Sequence, residues 1–479
     1  MLNAADPVGI LHDALNRAIA VVQSGVSSDN HLDFMDELPL YWERIGTKRL
    51  PGFFSVDDVL RKVFVYSDSN GDQFVADSSE TIQSYFNGKK QGLNVLNRRG
   101  ALYIPLNKGV FVAPPNPEEI WTSDLIYELI QANLSWENRQ QFARLVQKRR
   151  LKEFMILGLP RPSGGKTLAG LNFAAHRDKS VKADKVLDTP QPIVIQRYDA
   201  GYLLPRGGGQ PDLENFKVIV IGCGSVGGYI AVGLAQAGIR HLTLVDPDIL
   251  TRENIFRHVL GMSAEGQHKV TALQNELERK YPYLSIASHQ TSIEKAILQE
   301  SVNLCNFDLI VVAIGNPTVE LHLNQLLHEE CQQPVAVFAW IESYGIGGHA
   351  LLTHPKQPGC LQCLFTEASD PDTPLYNRSA FAAYGQSFGK DDLGCGSFYT
   401  PFGGLDAQKT AEQAVRLALD GLLQHEQQSP LVSWKGRSEA FTAAGFQLSP
   451  RYQQPADQLY ENQYSYINPA CPVCGANRL

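Results

Sequence analysis

The sequence predicts a doubly wound, mostly parallel α/β sheet over residues 210–479, preceded by a smaller α+β region. Three observations carry this. From Lys217 onward, short apolar runs alternate with helical patterns. The first run ends in Gly222-Cys223-Gly224-Ser225-Val226-Gly227, a G-x-G-x-x-G turn leading into a helix. The second run ends on an acid, Asp246.

The strands are expected at Lys217–Gly222, His241–Asp246, Phe307–Ile314 and Pro334–Ile341. Helices are expected over Ser225–Gly238, Glu265–Tyr281, between the last two strands, and over Gly404–Gly421. Nothing repeats along the chain. The length of 479 residues suits two to three domains, and 43% hydrophobic residues supply ample core. A net charge of −8 argues against a general nucleic-acid binder. No signal peptide and no bilayer-length apolar run is recognised, so a cytoplasmic protein away from membranes is expected.

The N-terminal region, residues 1–160, is less legible. It shows an amphipathic helix near residues 7–23 and strand-like runs at Lys62–Tyr66 and Gly109–Ala113. Ser123–Leu157 has a helical pattern. Residues 161–209 are rich in Pro, Gly and Lys and are expected to be a linker. Within them, Gly164-Gly165-Lys166-Thr167 imitates the end of a Walker phosphate loop. The earlier glycine that motif needs is replaced by Pro160, and no strand leads directly into it, so it is read as linker.

The glycine turn after Lys217 is different. Its first two glycines allow a tight turn and close approach of backbone to phosphate. The following helix offers free N–H groups to an anion. Asp246 could bond a ribose hydroxyl. These features imply a nucleotide without choosing between a dinucleotide and ATP.

All eight cysteines lie from Cys223 onward. Cys360-Leu361-Gln362-Cys363 and Cys471-Pro472-Val473-Cys474 are each spaced to chelate a metal from a tight knuckle. Four thiolates on one ion suit structural zinc, tying the C-terminal tail back to the sheet. Cys223 reads as a packing residue, and Cys305 and Cys331 as core.

After Asp246 the chain carries Asp248, then Asn254-Ile255-Phe256-Arg257, then Gly266-Gln267-His268-Lys269. This order of Asp-x-Asp, Asn-x-x-Arg and Gly-x-x-Lys resembles the ThiF/MoeB and ubiquitin-activating superfamily, from about Arg197 to the C-terminus. The resemblance implies a sheet domain that adenylates the C-terminal glycine of a ubiquitin-like protein, using ATP and Mg2+. It implies Asn254, Arg257 and Lys269 around the phosphates, Asp246 on the ribose, and Asp248 and Asn316 in the nucleotide site. Such chemistry brings a carboxylate against the α-phosphate, and fixed cations must offset the repulsion. Arg257 suits bidentate contact with phosphate and Lys269 a point charge.

Two departures stand out. Where the family carries Arg-Tyr followed by a second arginine, this chain has Arg197-Tyr198 and then Gly201, with Arg206 as the substitute. Where the family has Asp-Asn after the third strand, this chain has Gly315-Asn316. The missing carboxylate leaves Asp248, Glu320 or the phosphates themselves to hold magnesium.

By the same resemblance, Cys395 in Asp391–Phe398 is the nucleophile that takes the activated carboxyl group as a thioester. A conjugating enzyme is then the expected recipient, and a homodimer through the sheet domain the expected assembly. The segments Arg197–Arg206 and Asn254–His258 resemble activating enzymes of bacterial antiphage operons. An N-terminal region without cysteine excludes an active conjugating domain there. It leaves an inactive adenylation-like domain or a docking domain. The competing functions are a sulfur-carrier adenylyltransferase, an NAD-dependent oxidoreductase, which would leave Arg257, Lys269 and the metal pairs without a role, and a non-catalytic scaffold.

Overall fold

The computed structural model describes residues 5–27, 29, 31–112, 121–146, 153–174, 186–365, 376–391, 398–399 and 401–475. It divides into two compact units, Met1–Leu203 and Leu204–Leu479.

The first unit opens with helices α1 (Pro7–Ser27), α2 (His31–Asp36) and α3 (Leu38–Ile45). Strands β1 (Lys48–Phe53), β2 (Arg61–Ser67) and β3 (Gln73–Ala76), helix α4 (Ser79–Tyr85) and strand β4 (Asn94–Pro105) follow. Then come α5 (Ser123–Asn133), α6 (Trp136–Val146), β5 (Phe154–Pro160), β6 (Lys166–Ala174) and β7 (Val186–Arg197). The strands close into a barrel in the order β1-β3-β2-β4-β5-β6-β7, with β7 pairing back to β1. This is an α+β arrangement, not a second doubly wound sheet.

Alternation fills two cores at once. In β5 all seven residues, FMILGLP, are buried. Phe154 and Ile156 join one cluster with Leu50, Val63 and Tyr103. Met155, Leu157 and Leu159 join another, with Trp42 of α3, Ile126 and Ile130 of α5 and Phe142 of α6. A strand covered on both faces loses its polar alternation, so its text reads like a buried helix. That explains why the single helical pattern at Ser123–Leu157 is two helices followed by β5. Gly109–Val112 forms no strand, and Ala113 lies outside the described residues.

The expected linker is also corrected. Residues 161–209 contain two long barrel strands, β6 and β7. The Gly164–Thr167 imitation is the end of the turn joining β5 to β6 and the first two residues of β6. Gly164 N donates to Arg161 O at 3.0 Å and Arg161 N to Gly165 O at 3.1 Å. Lys166 is held by the carbonyl of Asp57 and the carboxylate of Asp58.

Helix α7 (Ala200–Arg206) spans the junction in sequence. The second unit then alternates as predicted: β8 (Lys217–Ile221), α8 (Gly227–Ala237), β9 (His241–Val245), α9 (Lys269–Lys280), β10 (Ser285–His289), α10 (Ile293–Leu298), β11 (Leu309–Val312), α11 (Pro317–Glu330) and β12 (Val335–Ile341). β13 (Gly347–Thr353), the short pair β14 (Lys390–Asp391) and β15 (Phe398–Tyr399), α12 (Gly404–Leu422) and β16 (Leu431–Lys435) follow. The short helices α13 (Glu439–Ala443), α14 (Pro450–Gln453) and α15 (Ala456–Glu461) complete it.

The sheet order is β10-β9-β8-β11-β12-β13-β16. The first five strands are parallel and the last two antiparallel. Val218 and Val220 face a core shared with α8, α9 and α12, while Ile219 and Ile221 face one shared with α10 and α11. From β8 the chain winds outward to β9 and β10, then returns to β11 on the other side. The reversal leaves a crevice at the carboxyl ends of β8 and β11, where Val245, Ile221 and Val312 stand in register. Among the described residues, no helix is long and apolar enough to cross a membrane.

Candidate functional site

The glycine turn leaves β8 at that crevice. Gly222 N donates to Val245 O at 2.8 Å. Gly222 has φ +88°, and a Cβ there would lie 2.6 Å from Ala313 O. A Cβ on Gly227 would lie 1.8 Å from Gly222 O. These two glycines are therefore steric requirements of the turn itself. Gly224 differs: a Cβ there would meet nothing within 4 Å, so the space above it is open. Helix α8 starts beyond it with no side chain capping its first N–H groups.

Asp246 fixes the turn from below. It is 5% exposed, and its two carboxylate oxygens accept from Cys223 N at 2.7 Å and Asp248 N at 2.8 Å. Each oxygen retains a lone pair, so a ribose hydroxyl can still be accepted. Burial pushes the Cys223 thiol well above its ordinary range, which suits the packing role read from the sequence.

Asp248 turns outward and meets Lys269. Lys269 Nζ donates to Asp248 Oδ2 at 2.7 Å, and Lys269 N donates to Asp248 O at 3.0 Å. The lysine is buried and its partner carboxylate mostly open to solvent. A buried ammonium tied to one carboxylate is a preformed charge at low reorganisation cost.

The Asn254–His258 turn closes the group. Asn254 O accepts from the backbone N–H of Arg257 and of His258. Arg257 lays its guanidinium over Phe402, 5.0 Å from the ring centre, and burial holds its pKa below the usual arginine value. His258, which the sequence reading left without a role, pins this turn to the glycine loop. Leu260 N–H donates to its Nδ1 at 3.2 Å, so Nδ1 accepts and Nε2–H donates to Cys223 O at 2.8 Å. That is the neutral tautomer, and burial lowers its pKa accordingly.

Asn316 stands at the N-cap of α11. Its Oδ1 accepts from Thr318 N and Val319 N, capping α11. Glu320 also turns inward. It is 6% exposed, accepts from Gly315 N at 2.9 Å, and burial raises its pKa to about 6. It braces the turn where the expected acid is missing, whereas Asp248 stays open to solvent. Arg206 closes α7 as an exposed side chain. In the first unit, Arg197 is engaged bidentately by Asp199 at 2.9 and 2.8 Å.

The four paired cysteines lie on the face of the sheet covered by α11. Cys360, Cys363, Cys471 and Cys474 are buried, with all four sulfurs within 4.8 Å of one another. Cys360 Sγ is 3.7 Å from Cys471 Sγ, and Cys363 Sγ is 3.4 Å from Cys474 Sγ. Tetrahedral zinc with Zn–S bonds of about 2.3 Å sets its sulfurs roughly 3.8 Å apart, so the donor set fits. Asn324 of α11 secures the first knuckle by accepting from Leu361 N at 3.0 Å.

Cys395 lies outside the described residues. The clamp before it is visible: Glu342 accepts from Phe381 N at 2.6 Å and Ala382 N at 2.9 Å. Glu342 also meets His349, whose other nitrogen meets Ser433. The trio has the composition of a hydrolytic triad, but His349 is 0% exposed. It is an anchor for the segment leading to Cys395. Cys305 and Cys331, both expected in the core, are joined in a disulfide, with Cys331 buried and Cys305 exposed. Their separation of 26 residues held no signal of pairing.

The ThiF family model matches residues 200–475, over half of the chain. The chain belongs to the ThiF family. Among relatives of this ThiF protein, the ATP-dependent ubiquitin transferase-like protein Cap2 of Pseudomonas aeruginosa is 27% identical over 391 residues, covering 76% of this chain and 67% of that protein. The Vibrio cholerae protein of the same name is 26% identical over 239 residues, 48% of this chain and 39% of its own. The SAMP-activating enzyme E1 of Haloferax volcanii is 28% identical over 183 residues, 37% of this chain and 65% of its own. This chain spans no more than 67% of any of these three relatives.

Proposed function

We propose that this ThiF protein uses ATP to adenylate the C-terminal carboxylate of a ubiquitin-like protein, and then holds that protein as a thioester on Cys395. The observation that carries the reading is the preformed Lys269–Asp248 pair beside a glycine turn locked by Asp246. The names of the Pseudomonas, Vibrio and Haloferax relatives point the same way.

In this reading the open space at Gly224 and the uncapped start of α8 receive the phosphates. Asp246 accepts a ribose hydroxyl. The substrate carboxylate attacks the α-phosphorus, the bond to the β-phosphate oxygen breaks, and pyrophosphate leaves. Lys269 and Arg257 offset the negative charge that gathers at the α-phosphate. Magnesium would rest on the phosphates and Asp248, since Glu320 is spent on its own turn. The Cys395 thiolate then displaces AMP from the acyl-adenylate. Splitting one acyl transfer into two steps lowers each barrier. A conjugating enzyme as recipient, a homodimeric assembly and a role in antiphage defence belong to the same reading. Zinc on the four cysteines would hold the C-terminal tail to the sheet, with no position open for catalysis.

The test is direct. The protein is mixed with ATP, magnesium and a candidate ubiquitin-like protein and run on a non-reducing gel. A thiol-sensitive adduct that disappears in Cys395→Ala is the expected result. Pyrophosphate exchange without an adduct would remove the thioester step. Absence of both, with NAD binding instead, would sink the proposal.

A further inference from the structure

β11 and α11 form one strand–helix unit, and its two ends do different things. At one end, Ala313 O lies where it would meet a Cβ on Gly222, and Gly315 is held by Glu320. This end braces the glycine turn. At the other end, Cys305 sits in the turn Leu304–Asn306 that enters β11, and Cys331 caps α11 through its N–H to Leu327 O. The disulfide between them closes the base of the unit, with 5.2 Å between the Cα atoms.

The two sulfur-bearing residues are unequal. Cys331 is 2% exposed, whereas Cys305 is exposed. A cavity of about 540 Å³ adjoins the pair. Both cysteines line it, with Val302 and Leu326 among its apolar residues and Glu300 and Glu330 among its polar ones. Both glutamates are exposed.

We propose that Cys305–Cys331 is a thiol–disulfide exchange site that takes neutral or cationic small thiols through this cavity, and that its opening loosens the turn bracing the glycine loop. A thiolate of the incoming reagent attacks the sulfur of Cys305. The protein disulfide breaks, a mixed disulfide forms, and Cys331 leaves as thiolate and takes up a proton. A second reductant thiol then attacks the mixed disulfide and frees Cys305. The two electrons come from the reductant, which ends as its own disulfide. Glu300 and Glu330 repel anionic reagents, so selection is by charge. The exchange chemistry stands without the nucleotide reading; only its effect on ATP rests on that reading.

The test uses the full chain. Alkylation and peptide mapping follow Cys305 and Cys331 during reduction by cysteamine or by mercaptoethanesulfonate at equal thiolate concentration. Cysteamine is expected to be faster by about fivefold or more at low salt, with the ratio shrinking at 1 M salt. Amide hydrogen exchange over residues 313–331 is expected to rise on reduction, and to be high in Cys305→Ser with or without reductant. Full alkylation of both cysteines before any reductant is added would overturn the proposal. So would equal rates for the two reagents, or unchanged amide exchange on reduction. If neither redox form binds ATP, the nucleotide reading fails while these exchange results still decide the proposal.

Discussion

Each unit carries a glycine-rich turn with a lysine nearby, and the two lysines are held in different ways. In the barrel, Gly164-Gly165-Lys166 turns one strand back onto the next, and Lys166 is consumed by Asp57 and Asp58 of the same unit. In the sheet, Gly222–Gly227 turns a strand into a helix, and Lys269 waits 2.7 Å from an outward-facing Asp248. A hairpin spends its backbone donors on its own ladder, whereas a strand-to-helix turn leaves donors unspent at the helix start. The element after the turn, more than the glycines, decides whether an anion can be received.

The largest effect expected from this contrast concerns the metal. Stripping zinc with a chelator, or Cys363→Ser, should destabilise the sheet unit by several kcal/mol. Two thermal transitions should then be seen, the sheet moving far down and the barrel barely shifting; a single unmoved transition would deny the metal its structural role. Elemental analysis should find one zinc per chain.

Next is the lysine pair. Lys269→Ala should cut pyrophosphate exchange by about 10²–10³-fold, the scale of losing one preorganised charge-stabilising group. Lys166→Ala should leave that rate alone and register only in stability. Equal losses in both variants would erase the distinction between the two turns.

A smaller effect concerns Glu320, whose burial raises its pKa to about 6. Between the ordinary glutamate value and about 6, the folded protein holds a proton that the unfolded chain has released, so stability falls as pH rises through this window. The loss amounts to about 2 kcal/mol above pH 6. Glu320→Gln should be insensitive there, and urea midpoints at pH 4.5 and pH 8 compare the two proteins. The smallest effect is Gly164→Ala, at φ +99° with open space around it. It should cost about 1 kcal/mol with ATP binding unchanged, as read from a melt and a nucleotide titration.

The alternating sheet, the glycine turn and the two Cys-x-x-Cys knuckles were legible in the chain alone. These are local signals: a period, a tight turn, a knuckle spacing. The sequence also marked Lys269 and Asp248, though not that they pair. The barrel was hidden because β5 and its neighbours are covered on both sides and lose their alternation, and because Pro and Gly in β6 and β7 read as connector. Tertiary structure alone decided that Asn316 caps a helix, that Glu320 turns inward, that His258 pins the loop, and that Cys305 bonds Cys331. Each depends on which groups the fold brings within bonding distance across many residues, and no spacing in the chain records that.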